Sequence, residues 1–374
     1  MDKNYIEANL DAVLERGVLR LGDIAPVKNF IGRIGSSEHV KLAFIGGSIT
    51  QGCLASTEEG QYTRLVTKLV CERFGDTVEY INAPVGGTDS FFGVARVESE
   101  VLKYAPDLVV VEFSVNDWGD DFHRETYEGL VRRILKSESH PAVILLFNYY
   151  FGERTSAQQV HLEVGEYYDL PCLSMKESFG ALQDEGRLDW EDITKDGIHP
   201  NDFGHLMISR LFEKYFDALE KLPTPAGAVT RDGLQLPSPL TANRFENCSL
   251  YKNYNCEPDM KGFTPDKVSV ANTWYYFAGG WEGRGTGASV SFTFKGTYAA
   301  IQYKKYKDGN APSAAAYIDG EELVPLDANF DQDWGDCLYL QMVSDELEDK
   351  EHTLTVVIKN EAENPFYLVS VIAK

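Results

Sequence analysis

Four short segments carry the residue types that acyl transfer to a hydroxyl requires. Ser48 lies in Gly46-Gly47-Ser48-Ile49-Thr50, a glycine pair closes Asn82-Ala83-Pro84-Val85-Gly86-Gly87, Asn116 lies in Val115-Asn116-Asp117, and an acid and an imidazole share Asp196-Gly197-Ile198-His199. Such chemistry needs a serine nucleophile, an imidazole base oriented by a carboxylate, and N–H donors aimed at the developing oxyanion. Asp196 and His199 come from one short loop, so the carboxylate can accept from Nδ1 while Nε2 takes the proton of Ser48. Each segment alone has an ordinary reading: a glycine-rich turn, a capping serine or asparagine, a histidine incidental among seven. The four together, in order, point to catalysis.

The elements that must position these residues are legible as alternating patterns. Strand-like runs at 41–45, 78–82, 107–113, 142–147 and 170–174 alternate with helical stretches at 62–72, 91–103, 124–136, 156–168 and 203–220. That alternation predicts a parallel sheet with helices on both faces, whose ligands bind at the carboxyl ends of the strands. Ser48, Gly87 and Asn116 all follow strand-like runs, and Ser48 sits on a strand-to-helix turn. The surrounding pattern is not Gly-x-Ser-x-Gly, so the nucleophile elbow of α/β-hydrolases is not indicated. Trp118, Tyr149 and Tyr150 also fall at strand ends, where they either line a pocket or pack. Residues 5–15 read as a further helix ahead of the pattern.

Past residue 221 the composition changes. Pro223, Pro225, Pro237 and Pro239 punctuate a stretch without helical period, which reads as a linker over 222–240. Beyond it, short alternating runs at 288–294, 298–303, 314–319 and 353–358 predict an all-β sandwich over 241–374. Trp274, Trp281 and Trp334 are either core aromatics, the commoner use of such rings, or platforms for a sugar face, and the glycine-rich context of Trp281 suggests a loop, which raises the odds of a platform for that residue. At 374 residues the chain exceeds the size of one core, so two domains are expected.

A formal net charge of −23 excludes nucleic acid and anionic membrane surfaces as partners, whereas a neutral ligand such as an acetylated sugar is not repelled. The N-terminal residues lack an apolar signal segment and no run approaches the ~20 apolar residues of a membrane span, so the expected location is cytoplasmic. Six cysteines without a Cys-x-x-Cys pair read as free thiols rather than a disulfide framework or a zinc site.

The four segments resemble the four sequence blocks of the SGNH (GDSL-type) hydrolases. The resemblance implies a flavodoxin-like three-layer α/β domain over 1–221, counting an N-terminal helical extension. It makes Ser48, His199 and Asp196 catalytic. It forms the oxyanion hole from the N–H groups of Ser48 and Gly87 with the side chain of Asn116, Gly86 standing one residue away as the alternative to Gly87. Gly-Gly-Ser-Ile-Thr departs from Gly-Asp-Ser-Leu by the acidic residue next to the nucleophile. The whole chain is most similar to the mannan acetylesterases of carbohydrate esterase family 17, whose second domain is a jelly-roll β-sandwich similar to a family 35 carbohydrate-binding module. That layout implies removal of O-acetyl groups from an acetylated oligosaccharide, with manno-oligosaccharides as the substrate class. It implies no metal and no organic cofactor, and it leaves the oligomeric state open. Acetylxylan esterase, or another short-chain, lipase-like or thioesterase-like SGNH activity, is the alternative on the same scaffold. A non-catalytic glycan-binding protein is the alternative of another class.

Overall fold

Val40–Gly46 reads VKLAFIG, Leu108–Glu112 LVVVE and Ala142–Phe147 AVILLF, and runs this uniformly apolar are stable as strands covered on both faces. In the computed structural model, which describes residues 2–224, 236–267, 277–332 and 335–374, they are neighbours in one sheet. The chain divides into two units, Met1–Glu246 and Asn247–Lys374.

The first unit opens with α1 (Lys3–Gly17), β1 (Val18–Arg20) and α2 (Ala25–Gly35). There follow β2 (Val40–Gly46), α3 (Ser48–Gln51), α4 (Tyr62–Phe74), β3 (Val78–Pro84), α5 (Ser90–Glu100) and β4 (Leu108–Glu112). The rest is α6 (Asp121–Leu135), β5 (Ala142–Phe147), α7 (Gln158–Tyr167), β6 (Cys172–Ser174), α8 (Ala181–Asp184) and α9 (Asp202–Glu220). The sheet order is β1-β6-β5-β4-β2-β3, with β2 to β6 parallel and β1 antiparallel at the edge. Taken from β3 to β6, this is the flavodoxin-like order, whose direction of winding reverses between β2 and β4. Ser48 follows the first of those strands and Asn116 the second.

Phe44, Val110 and Ile144 point to one face, into a core with Phe30 of α2, Val66 of α4 and Phe212 of α9. Leu145, one residue on, points to the other, where its side chain lies 3.1 Å from the position of a Cβ on Gly165 of α7. Carboxylate and amide caps start the helices near the site: Asp89 accepts from Phe92 N, Asp120 from His123 N and Asn201 from Gly204 N. The N-terminal segment is structural, since α1 sends Ile6, Val13 and Leu14 into the same core. Three-residue β1 was beyond the reach of periodicity.

The first unit extends past the proline-rich stretch. Glu128 of α6 accepts the N–H groups of Leu240 and Thr241 at 2.6 and 2.8 Å, and Glu125 accepts that of Arg244 at 2.7 Å. Arg132 donates to Pro237 O and to the buried Glu246 carboxylate, both at 2.9 Å. These buried charges need those partners, and they hold 236–246 on α6. Residues 225–235 of the stretch lie outside the described residues.

In the second unit, β7 (Ser249–Tyr251), β8 (Asp259–Lys261), β9 (Phe263–Pro265) and β10 (Trp281–Gly283) precede the longer strands. Those are β11 (Ser289–Gly296), β12 (Ala299–Lys305), β13 (Ser313–Ile318), β14 (Glu321–Asp327), β15 (Cys337–Ser344), β16 (Lys350–Ile358) and β17 (Phe366–Ala373). Among the described residues two antiparallel sheets form, β15-β12-β17-β10-β9 with β7 on β17, and β14-β13-β16-β11-β8. Phe292, Leu354 and Val356 of one share a core with Ile301, Tyr303 and Leu368 of the other.

Trp281 corrects an expectation. It is 0 % exposed, its ring meets Phe292 edge-on at a centroid distance of 5.0 Å, and its backbone pairs with Pro265 and Leu368 on both sides. Trp281 opens a strand inside the sheet, where Gly280 just before it and Gly283 at its end make room for the Leu368 backbone and the Phe263 ring, and no sugar can reach the tryptophan. Trp274 and Trp334 lie outside the described residues. Trp281→Ala is expected to cost ~3–5 kcal/mol of stability, as loss of a fully buried aromatic does. Denaturant unfolding of the second unit measures this, and an unchanged midpoint would remove Trp281 from the core.

Candidate active site

Ser48 is the first residue of α3, directly after the carboxyl end of β2, and is only 9 % exposed. As a first-turn residue it has no acceptor for its N–H within the helix. Gly47, before it, is required by close approach: a Cβ there would stand 2.2 Å from Asn116 Oδ1. The amide of Asn116 therefore lies over the backbone that leads into the nucleophile. Neither atom of that amide is hydrogen-bonded among the described residues. Gly86 also abuts the serine, since its Cβ position falls 3.5 Å from Ser48 Cβ, while Gly87, at φ +70°, faces open space. Among the described residues the backbone N–H of Gly87 has no protein acceptor.

The loop before α9 brings the base. His199 Nε2 lies 2.7 Å from Ser48 Oγ, and its Nδ1 lies 2.6 Å from Asp196 Oδ2. The other oxygen, Asp196 Oδ1, accepts the backbone N–H groups of Ile198 and His199 at 3.0 and 2.8 Å and the Thr194 hydroxyl at 3.1 Å. Gly197 sits at φ +83°, a left-handed conformation that lets the chain double back so tightly around the carboxylate. Partial burial pushes the Asp196 carboxyl up, but the His199 ring and the two backbone donors outweigh it and hold it at about 2. It is thus a carboxylate throughout the working pH range. The loop is braced from β5's far end, where Gly152 N donates to Gly197 O at 3.0 Å.

Several supporting residues carried no sequence signal. His205, one turn into α9, accepts from Tyr62 N at 3.3 Å and donates from Nε2 to Cys53 O at 3.2 Å, and burial pushes it down to about 4. It is a neutral strut for the segment that follows α3. Asp202 holds the same segment through Ser56 N and Oγ at 2.7 and 2.6 Å. Asp117 and His161 form a buried pair at 2.9 Å. Asp117 was legible only as the neighbour of Asn116, and His161 lies 44 residues from its partner with nothing to link them.

Glu112, at the end of β4, is fully buried near Thr50 Oγ1 at 3.4 Å. Burial pushes its carboxyl up from 4.5 to about 7, and the charge of Asp117 adds to this. A carboxyl that holds its proton more tightly when folded contributes stability that is complete below about pH 4.5 and declines as pH rises through about 7. Glu112→Gln imitates the neutral form and should lack the decline. The melting temperature of the variant minus that of the parent should therefore grow between pH 5 and pH 8, and an unchanged difference would refute it.

Of the aromatic residues expected at the pocket, Trp118 is 73 % exposed, two positions beyond Asn116. Tyr150 is half-buried against the core on the loop that braces Gly197. Tyr149 does not line a pocket: it is 0 % exposed, packs edge-on against Phe151 at 4.6 Å, and donates its hydroxyl to Gln183 at 2.6 Å. Successive residues of an extended chain face opposite ways, so only one of the Tyr149–Tyr150 pair can look outward. Among the described residues no three His, Cys, Asp or Glu side chains converge as a metal-ligand set, and no helix is long and apolar enough to cross a membrane.

The sequence model of the GDSL-like Lipase/Acylhydrolase family matches residues 44–207, a span that takes in all four segments. No curated protein matches the chain. Two solved structures are similar to it over nearly their whole length. One is a two-domain esterase active on acetylated mannans, co-crystallised with mannopentaose; it is 35% identical, with a TM-score of 0.90 over 96% of this chain and 97% of that one. The second, also a two-domain esterase active on acetylated mannans, is 36% identical, with a TM-score of 0.90 over 96% of this chain and 98% of that one.

Proposed function

The chain belongs to the GDSL-like lipase/acylhydrolase family, and from that premise we propose that it is a serine carbohydrate esterase that removes O-acetyl groups from manno-oligosaccharides. The observation that carries the chemistry is the continuous contact Asp196–His199–Ser48, with 2.6 and 2.7 Å between the reacting heavy atoms. His199 Nε2 accepts the Ser48 proton as Oγ attacks the acetyl carbonyl, and Asp196 keeps the ring proton on Nδ1. The N–H groups of Ser48 and Gly87 and the Asn116 amide hold the oxyanion. His199 then gives the proton to the departing sugar oxygen, which leaves as a hydroxyl, and activates the water that hydrolyses the acetyl-enzyme.

The substrate class is supported by likeness along the whole chain, both units included, to esterases active on acetylated mannans. The second unit, a sandwich of two antiparallel sheets, is the part we assign to glycan recognition. Trp118, the exposed ring nearest Asn116 in sequence, is the residue we assign to stacking on a sugar face. A series of p-nitrophenyl esters from acetate to laurate, followed by mass spectrometry of acetylated mannan, xylan and chitin oligosaccharides, tests the reading. Preference for acetate and for mannan is expected; long-chain preference, faster loss of acetyl from xylan, or no turnover would each overturn it.

Asn116→Ala is expected to lower kcat by ~10²–10³ with little change in KM, since its hydrogen bond strengthens only as charge develops on the carbonyl oxygen. Steady-state kinetics on p-nitrophenyl acetate separate the two parameters. A rise in KM alone would make Asn116 a ground-state contact.

A further inference from the structure

Two of the three oxyanion donors sit on different loops, and one buried side chain touches the supports of both. Asp117 follows Asn116 in the turn after β4, where the N–H groups of both residues donate to Phe113 O at 2.9 Å. Its side chain is 0 % exposed. Oδ1 accepts the N–H of Ser90 at 2.8 Å, and Ser90 is the first residue of α5, three positions after Gly87. The Ser90 hydroxyl in turn lies 2.7 Å from Thr126 Oγ1 on α6. Oδ2 faces His161 Nε2 at 2.9 Å. The His161 ring is fully buried on α7 and stacks on Tyr127 of α6 at a centroid distance of 3.6 Å. Among the described residues its Nδ1 has no partner, so the neutral ring carries its proton on Nε2 and donates it to Asp117.

We propose that Asp117 is a positioning residue that locks the Asn116 turn to the Gly87 loop, so that the two oxyanion donors keep a common aim, and that His161 holds Asp117 in place. This rests on the oxyanion roles assigned to Asn116 and Gly87. The N–H of Ser90 belongs to the first turn of α5 and lacks an intrahelical acceptor, so the carboxylate also stabilises that helix. What distinguishes positioning from helix stabilisation is where the loss appears. Oxyanion donors misaimed by a fraction of an ångström leave substrate binding intact and weaken only the transition state.

The test is a double-mutant cycle on p-nitrophenyl acetate, with circular dichroism and thermal melting as fold controls. Asp117→Ala is expected to lower kcat by ~10²-fold with KM within about twofold of the parent. In the Asn116→Ala background the same change should cost less than ~10-fold, because one of the donors it aims is already gone. Asp117→Asn should recover most of the activity. Its amide oxygen can still accept from Ser90, and its NH₂ can donate to Nε2 once the His161 proton moves to the free Nδ1. Should Asp117→Ala fail to fold, His161→Phe carries the cycle: it keeps the ring on Tyr127, removes the donor to Asp117, and should lose kcat in the parent background more than in Asn116→Ala. Losses that simply multiply in the double variants, a KM effect without a kcat effect, or intact kcat in Asp117→Ala would overturn the proposal. If Asn116→Ala itself keeps full kcat, it is the oxyanion assignment that fails.

Discussion

Ser48→Ala should reduce turnover of p-nitrophenyl acetate by ~10⁴-fold or more, because the residues that remain can orient a water but offer no hydroxyl to form the acetyl-enzyme. The fold should survive. The Ser48 hydroxyl is bonded only to His199 among the described residues, and alanine suits the first turn of α3. Substrate binding should survive too, since the change removes the attacking hydroxyl and no other group that faces the substrate. The purified variant is assayed beside the parent, with mass spectrometry after mixing to detect an acetylated protein. Parental activity, or an acetyl group trapped on the variant, would place the nucleophile elsewhere.

Asp196→Asn is expected to be nearly as damaging, with a loss of ~10³–10⁴ in kcat, through a change of tautomer rather than of shape. Two backbone N–H groups and the Thr194 hydroxyl point at Oδ1, so an asparagine must place its carbonyl oxygen there. Its NH₂ then faces His199 Nδ1, which has to become an acceptor. The ring proton moves to Nε2, the atom 2.7 Å from Ser48 Oγ, and a protonated Nε2 cannot take the serine proton. Asp196→Ala removes that constraint along with the carboxylate. Asn should therefore be no better than Ala despite being its closest isostere, and an Asn variant retaining a tenth or more of the parental kcat would show that Asp196 does not set the tautomer.

The sheet was legible because its strands are buried on both faces. LVVVE and AVILLF admit no other use at that length, and the alternation with helical stretches implies parallel connections. The edge strand Val18–Arg20 was not, since three half-buried residues have no period to detect. The aromatic residues divide in the same way. Trp118 could be placed outside only because the turn after β4 leaves it there, whereas Tyr149 and Trp281 are drawn into cores by neighbours distant in sequence, Gln183 for one and Phe292 for the other.

For the site itself, local chemistry was enough to nominate residues whose partners lie within a few positions. Asp196 and His199 meet across three residues, and Ser48, Gly87 and Asn116 each follow a strand, so their types and order already specify a nucleophile, a base with its carboxylate, and oxyanion donors. Distances across the sheet were decided only by tertiary structure: that His199, 151 residues from Ser48, arrives at 2.7 Å, that Asn116 lies over Gly47, and that the Asp117–His161 pair is buried beneath them. The physical reason is that a loop can be read from its own residues, while the pairing of buried polar groups depends on which elements the winding of the sheet brings side by side. A lone carboxylate or imidazole in the sequence gives no sign of the partner that makes its burial affordable.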